Sequence, residues 1–205
     1  MYIISLADAK ELMGKVTDTE SNRLDIMVQL LSGRIAQVLN RTLDKLTGTD
    51  AVRTEIFHGG RNGRAFLSLR AYPNINTQTI RLYDDTTRAF AGNSLIPSSE
   101  YYVEDSTGLL YLLPGHTLMP GVGNIKVMYN GGYPVDKTGV LQLDRSNPIR
   151  LAFELQLRFL WQRRDSLGTT AVGHTDSGTV TYTSIELLPD VRASLYAERR
   201  WNAGD

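Results

Sequence analysis

The side chains able to do chemistry are few and far apart. His58, His116 and His174 each sit in Gly- or Pro-flanked stretches. None has the His-x-x-x-His spacing that would put two imidazoles on one helical face for zinc, and no helical Glu accompanies them. Cysteine is absent, which removes disulfides, thiolate metal sites and thiol nucleophiles together. His58-Gly59-Gly60 has the letters of an oxyanion loop, but no Gly-x-Ser-x-Gly elbow supplies a nucleophile. Asp176-Ser177-Gly178-Thr179 carries the letters of an aspartic protease site, yet Gly173-His174-Thr175 stands before it where a hydrophobic strand is needed. Asp136-Lys137-Thr138-Gly139 copies a phosphorylated-aspartate motif without the membrane helices or nucleotide domain that go with it. Asp84-Asp85 is a paired carboxylate in a hairpin turn with no third ligand nearby in sequence. All three read as solvated turns, so a hydrolase using Asp176 or Asp84 is a weak alternative. No enzyme, metal site or cofactor is expected.

Two arginine groups remain. Arg61 and Arg64 lie in the Gly59–Gly63 loop and are candidates for contact with DNA or a partner. Arg163 and Arg164 end a long helix, and Tyr196, Arg199, Arg200 and Trp201 crowd the C-terminal end. Arg, Tyr and Trp are the side chains that most often anchor an interface, so these six are the candidates for docking on a partner.

The elements that position them follow from periodicity. Ser5 caps a short helix over 6–13 that stops at Gly14. Thr17 and Glu20 form a capping box for a helix over 18–43, in which Leu24, Val28, Leu31, Ile35 and Val38 repeat at spacings of four and three. Ile26, Leu30 and Leu39 lie off that stripe, so the helix is wider in apolar surface than one contact requires. Between 48 and 147 the period changes. Short β-type runs at 52–58, 65–69, 79–83, 101–104, 109–113 and 125–129 alternate with Gly, Asn, Asp and Pro clusters. Asn147 and Pro148 then open a helix over 149–164 that is apolar almost all round. Its main polar row is Arg150, Glu154 and Arg158, with Glu154 and Arg158 in ion-pair order. Residues 166–184 include twelve Gly, Ser or Thr and read as a flexible loop with a short strand at 179–183. Pro189 and Asp190 start a last helix over 191–200.

The expected fold is therefore α+β: a core of four helices from 1–47 and 148–205, interrupted by a β-rich insertion over 48–147. Helices this apolar are either deep in the core or shared with a neighbouring copy, with Leu24, Val28, Leu31, Ile35, Phe153, Phe159 and Trp161 as candidate subunit-interface residues. The 205 residues suit one compact unit or one domain with a large insertion. Lys and Arg total 22, as do Asp and Glu, and the balance holds locally, which argues against an avid general DNA binder. No apolar run approaches the ~20 residues that span a bilayer, and the first residues lack the pattern of a signal peptide. A soluble, intracellular-type protein is expected.

The order of these parts resembles the head–tail connector (adaptor, or head-completion) family of tailed double-stranded DNA bacteriophages. Leu6-Ala-Asp-Ala-Lys-Glu-Leu-Met is similar to its opening helix, and Leu24–Leu43, ending Asn40-Arg41-Thr42-Leu43, to its second. Phe66-Leu-Ser-Leu-Arg-Ala-Tyr-Pro and Tyr101-Tyr-Val-Glu-Asp-Ser-Thr-Gly-Leu-Leu resemble its strand and hairpin phrases. Ile125-Lys-Val-Met-Tyr-Asn-Gly-Gly-Tyr-Pro is the best local match. Leu160-Trp-Gln-Arg-Arg and Leu187-Leu-Pro-Asp-Val-Arg-Ala-Ser-Leu-Tyr-Ala-Glu-Arg-Arg resemble its closing phrases. Tyr-Ala-Glu where the family often has Pro-Tyr, and a longer 134–146 link, depart from it. The resemblance implies a structural virion protein in the neck at the portal vertex, assembled in the host cytoplasm. It would form a ring with itself, a dodecamer, bound beneath the portal protein. Such a ring would extend the channel for double-stranded DNA and meet a downstream neck, stopper or tail protein, with no membrane involved. Another neck or tail-completion protein, a stopper or terminator, is the nearest alternative. A carbohydrate- or peptide-binding β module is disfavoured, because the helices carry the stronger apolar patterning.

Overall fold

A computed structural model describes residues 1–47, 51–61, 65–165, 172–174, 178–180 and 186–200. Arg64, Asp176 and Trp201 lie outside them. The chain divides into two compact units, Met1–Leu39 with Leu143–Arg199, and Asn40–Gln142 with Arg200–Asp205. The architecture is α+β: four helices and a strand-rich insertion that forms two antiparallel sheets.

The helical unit contains α1 (Leu6–Met13), α2 (Asp18–Leu39), α3 (Pro148–Gln162) and α4 (Pro189–Ala197). Ser5 Oγ accepts the Asp8 N–H at 3.0 Å and caps α1. At the start of α2, Glu20 reaches back to the Thr17 N–H at 3.1 Å, and the Thr17 hydroxyl donates to the same carboxylate at 2.8 Å. These contacts, with Arg164 nearby, hold the Glu20 carboxyl below its ordinary value. The helix expected to reach Leu43 ends at Leu39, because Asn40 takes φ 50°. Asn tolerates this left-handed conformation better than most residues and closes helices with it. Leu24, Val28, Leu31, Ile35 and Leu39 of α2 are buried with Ile149, Phe153, Leu157, Leu160 and Trp161 of α3 and Val191 and Leu195 of α4. Among the described residues, the two polar side chains buried here, Ser32 and Gln156, tie chain segments to helices. Ser32 Oγ accepts the Ile3 N–H and donates to the Val28 carbonyl. Gln156 donates to the Glu186 carbonyl at 3.2 Å and accepts the Leu188 N–H at 2.9 Å, fixing the entry to α4. The strand expected at 179–183 lies only partly in the described residues; there, Gly178–Val180 pairs antiparallel with Val172–His174.

The β unit holds β1 (Arg53–Phe57), β2 (Phe66–Ser68), β3 (Arg81–Asp84), β4 (Leu95–Ile96), β5 (Tyr101–Glu104), β6 (Leu109–Leu112) and β7 (Ile125–Tyr129). One sheet has the order β1-β7-β3-β4, the other β2-β6-β5. Their inward residues form one hydrophobic cluster, with Leu82, Ile125, Val127 and Tyr129 from the first and Leu67, Val103 and Leu110 from the second. The run expected from 79 starts at Arg81 instead. Asn76 accepts the Gln78 N–H and caps a short helical turn over 77–79. The hairpin expected at 101–113 is β5–β6, with Tyr102 opposite Tyr111. Gly132, at φ 111°, lets the backbone pass against Asp44, where a Cβ would come within 2.8 Å of the main chain. Tyr133 then donates to the Leu43 carbonyl at 2.7 Å, and Lys45 to the Tyr133 carbonyl at 2.8 Å.

Candidate functional site

The polar motifs noted in the sequence converge in part. Asn124 is buried and uses its whole amide: Oδ1 accepts the Gly59 N–H at 3.1 Å, and Nδ2 donates to Asp84 at 3.0 Å and to the Met119 carbonyl at 2.9 Å. Asp84 also accepts the Met119 N–H at 2.5 Å, and His58 Nδ1 accepts the Gly123 N–H at 2.8 Å. This arrangement closes loops; its acceptors are filled by backbone and amide donors. Gly59 is required there, since a Cβ would stand 1.8 Å from the Met119 oxygen. Asp85 accepts from the Thr87 hydroxyl and from the Thr87 and Phe90 N–H groups. Asp136 accepts from the Thr138 hydroxyl and from the Thr138 and Val140 N–H groups. In each, the threonine hydroxyl is the largest cause holding the carboxyl below its ordinary value. Both are self-contained turns. His116 lies 3.1 Å from Glu100. Among the described residues no group of three or more His, Asp or Glu could hold a metal ion.

A second buried polar contact lies under β7. The Tyr129 hydroxyl donates to Glu55 and accepts the Ala71 N–H at 2.8 Å. Burial, then the adjacent Glu55 charge, raises the phenol well above its ordinary value. Arg200 belongs to this region. Its guanidinium bonds the Ser68 carbonyl and, at 3.2 Å, the Ser68 hydroxyl, and burial lowers its pKa. The expectation of a docking arginine at 200 therefore meets a side chain already engaged inside its own unit.

The other arginines are varied. Arg163 stacks 4.4 Å from the Phe159 ring centroid. Arg164 lies 4.6 Å from the Trp161 ring and pairs with Glu20 at 3.0 Å. Arg199 lies 5.8 Å from the Tyr196 ring. Arg61 is exposed after Gly60. The row read as the wet face of α3 is largely drawn inward. Arg150 pairs with Glu154 at 2.9 Å, with Asp8 at 3.6 Å and with the Leu143 carbonyl, so Glu154 is matched with Arg150 rather than with Arg158.

The apolar residues divide more sharply. Leu24, Val28, Leu31, Ile35, Phe153 and Trp161 are covered by the chain itself, and Phe159 is half-buried under Arg163. Among the described residues, other large apolar side chains are left uncovered on the helical unit. Ile26 and Leu30 are 55% and 64% exposed on α2, Leu151 and Leu155 about half exposed on α3, and Tyr196 is exposed on α4. The off-stripe position of Ile26 and Leu30 was the signal in the sequence. Leu151 and Leu155 gave none, because α3 is apolar on nearly every side. A groove of about 370 Å³ on α4 and the segment before it is lined by Glu186, Leu187, Pro189, Arg192, Ala193 and Tyr196.

The β unit has an exposed apolar face too. On the outer side of the three-stranded sheet Phe66, Tyr111 and Tyr102 stand opposite one another across all three strands, and the first two rings are 6.1 Å apart. On the outer side of the four-stranded sheet Lys126 lies between the Tyr83 and Phe90 rings, at 4.3 and 4.7 Å. What this molecule offers is surface: isolated apolar rows on rigid helices and strands, the material of protein–protein contact.

No family model matches the sequence, and no curated protein matches it. Solved structures do resemble the fold. One chain of the virion of native gene transfer agent (GTA) particle aligns at TM-score 0.52 with 11% identity, covering 99% of this chain and 93% of that one. A chain of the neck of empty GTA particle computed with C6 symmetry aligns at TM-score 0.53 with 12% identity over the same shares. At this identity the likeness is one of fold.

Proposed function

We propose that this chain is a structural subunit of a particle neck, a head–tail connector of the adaptor kind. It would form a ring beneath the portal, extend the DNA channel and present a surface to the next neck or tail protein. The observation that carries this is the end-to-end likeness of fold to a chain of the GTA neck, in both the helical core and the β insertion. Three features agree with it. Among the described residues, the polar clusters around Asn124, Asp85 and Asp136 are used up in loop closure. The helical unit keeps apolar rows that a solitary chain has no use for. Balanced charge suits a conduit through which DNA must slide, since a strongly basic lumen would retain it.

The experiment is negative-stain imaging of the purified protein, alone and with portal, together with antibody labelling of intact particles. Rings with a central hole, capping the portal and labelled at the neck, are expected. Labelling confined to the tail tube or to host cell material would overturn the reading. Attachment to the tail end with no affinity for portal would move the protein to the stopper or terminator alternative.

A further inference from the structure

The helical unit carries both halves of a head-to-tail contact, and we infer that the α2 ridge of Ile26 and Leu30 in one copy seats in the α4 groove of the next. The inference rests on the ring-forming reading above and names the surfaces that close the ring. Ile26 and Leu30 are spaced i, i+4, so they stand one above the other on α2 as a short ridge. The groove bordered by Leu187, Pro189, Ala193 and Tyr196 has room for two aliphatic side chains, and ridge-into-groove seating is how helices normally meet.

Charge matches the same pairing. Arg34 lies one turn beyond Leu30, is exposed and makes no ion pair with another described residue. Arg23, at the other end, is held by Asp165 at 3.2 Å. Beside the ridge on α2, Asp25 accepts from Gln29. Among the described residues, the ridge therefore presents Arg34 as a cation without an acidic partner. The groove offers the Glu186 carboxylate among its lining residues and Asp190 beside them, both exposed and likewise unpaired among the described residues, with Arg192 as the one cation. Seating the ridge brings Arg34 towards Glu186. Because ridge and groove are different surfaces, the contact is heterologous, and repeating it generates a closed ring or an open filament rather than a two-fold dimer.

The chain has no cysteine, so introduced thiols report this contact alone. The Leu30→Cys/Ala193→Cys double variant, oxidised at assembly concentration and run without reductant, is expected to give a ladder of multimers. Each single variant should stay monomeric on the gel. Arg34→Glu should raise the concentration needed for assembly by about fivefold, the upper end for an exposed ion pair, and adding Glu186→Arg should restore it. The melting temperature of each variant, compared with the parent, shows that the fold is kept. Rings in the microscope with no ladder on the gel would overturn this pairing and leave the ring itself standing. A covalent dimer from Leu30→Cys alone would overturn it in favour of a ridge-to-ridge contact. A parent chain that stays monomeric at every concentration, with no ladder, would overturn both the pairing and the ring.

Discussion

In the helical unit nearly everything buried is aliphatic or aromatic, and the two polar exceptions, Ser32 and Gln156, each tie a neighbouring segment to a helix. In the β unit the hydrophobic cluster is bordered by polar contacts between residues far apart in sequence: Asn124 with Gly59 and Asp84, Tyr129 with Glu55 and Ala71, Arg200 with Ser68. The difference has a physical origin. Helices satisfy their backbone internally and need only a covered apolar stripe. Short strands joined by long turns leave N–H and C=O groups that side chains must satisfy. The helical unit can therefore leave apolar rows uncovered, whereas the β unit uses its polar side chains to hold its own loops.

Substitutions can break or sharpen that contrast. The largest effect is expected from Leu31→Asp, which places a carboxylate at a site 3% exposed. It should cost about 4–5 kcal/mol or more and leave the chain largely unfolded; a cooperative melt near the parent temperature would show that α2 is not packed as described. Next is Asn124→Ala, which strips donors or acceptors from Gly59, Asp84 and Met119 together. A loss of about 2–3 kcal/mol in urea unfolding is expected, and a loss below a few tenths would mean the loops close without it.

Tyr129→Phe is expected to cost about 1–2 kcal/mol at neutral pH. Its pH dependence is more telling. The folded phenol titrates above its unfolded value of about 10, so the folded state holds that proton more tightly. The stability it contributes is fully present below about pH 10 and is lost as pH rises beyond it. The parent should lose stability more steeply than Tyr129→Phe between about pH 9 and 12 in urea titrations, and parallel curves would remove the buried phenol from the account. The smallest effect on the fold belongs to Leu30→Asp, one residue from Leu31. Its stability should stay within about 0.5 kcal/mol of the parent while assembly is lost; a large fall in melting temperature would mean the ridge is part of the core.

Much of the fold was legible from pattern. The stripe Leu24, Val28, Leu31 and Ile35, the caps at Ser5 and Asn147 and the hairpin at 101–112 all rest on local periodicity, which sequence records directly. The division between inside and outside was not. α2 has two apolar faces, and nothing local says which one α3 and α4 cover, so the sequence alone leaves the stripe open to the core or to a neighbouring copy. β4 is two residues long, too short for any alternation. Asn124 and Gln156 look like surface residues until partners 65 and 32 positions away are brought to them. Arg200 reads as a docking residue because its acceptor, Ser68, lies 132 positions upstream. Long-range polar pairing is what periodicity cannot encode.

The most direct measurement is the mass distribution of the purified full-length chain across a concentration series, taken side by side with Leu30→Asp. The account predicts a discrete high-mass species, a whole-number multiple of the chain, in the parent and single chains in the variant, with both melting at the same temperature. Identical distributions for the two proteins would contradict it.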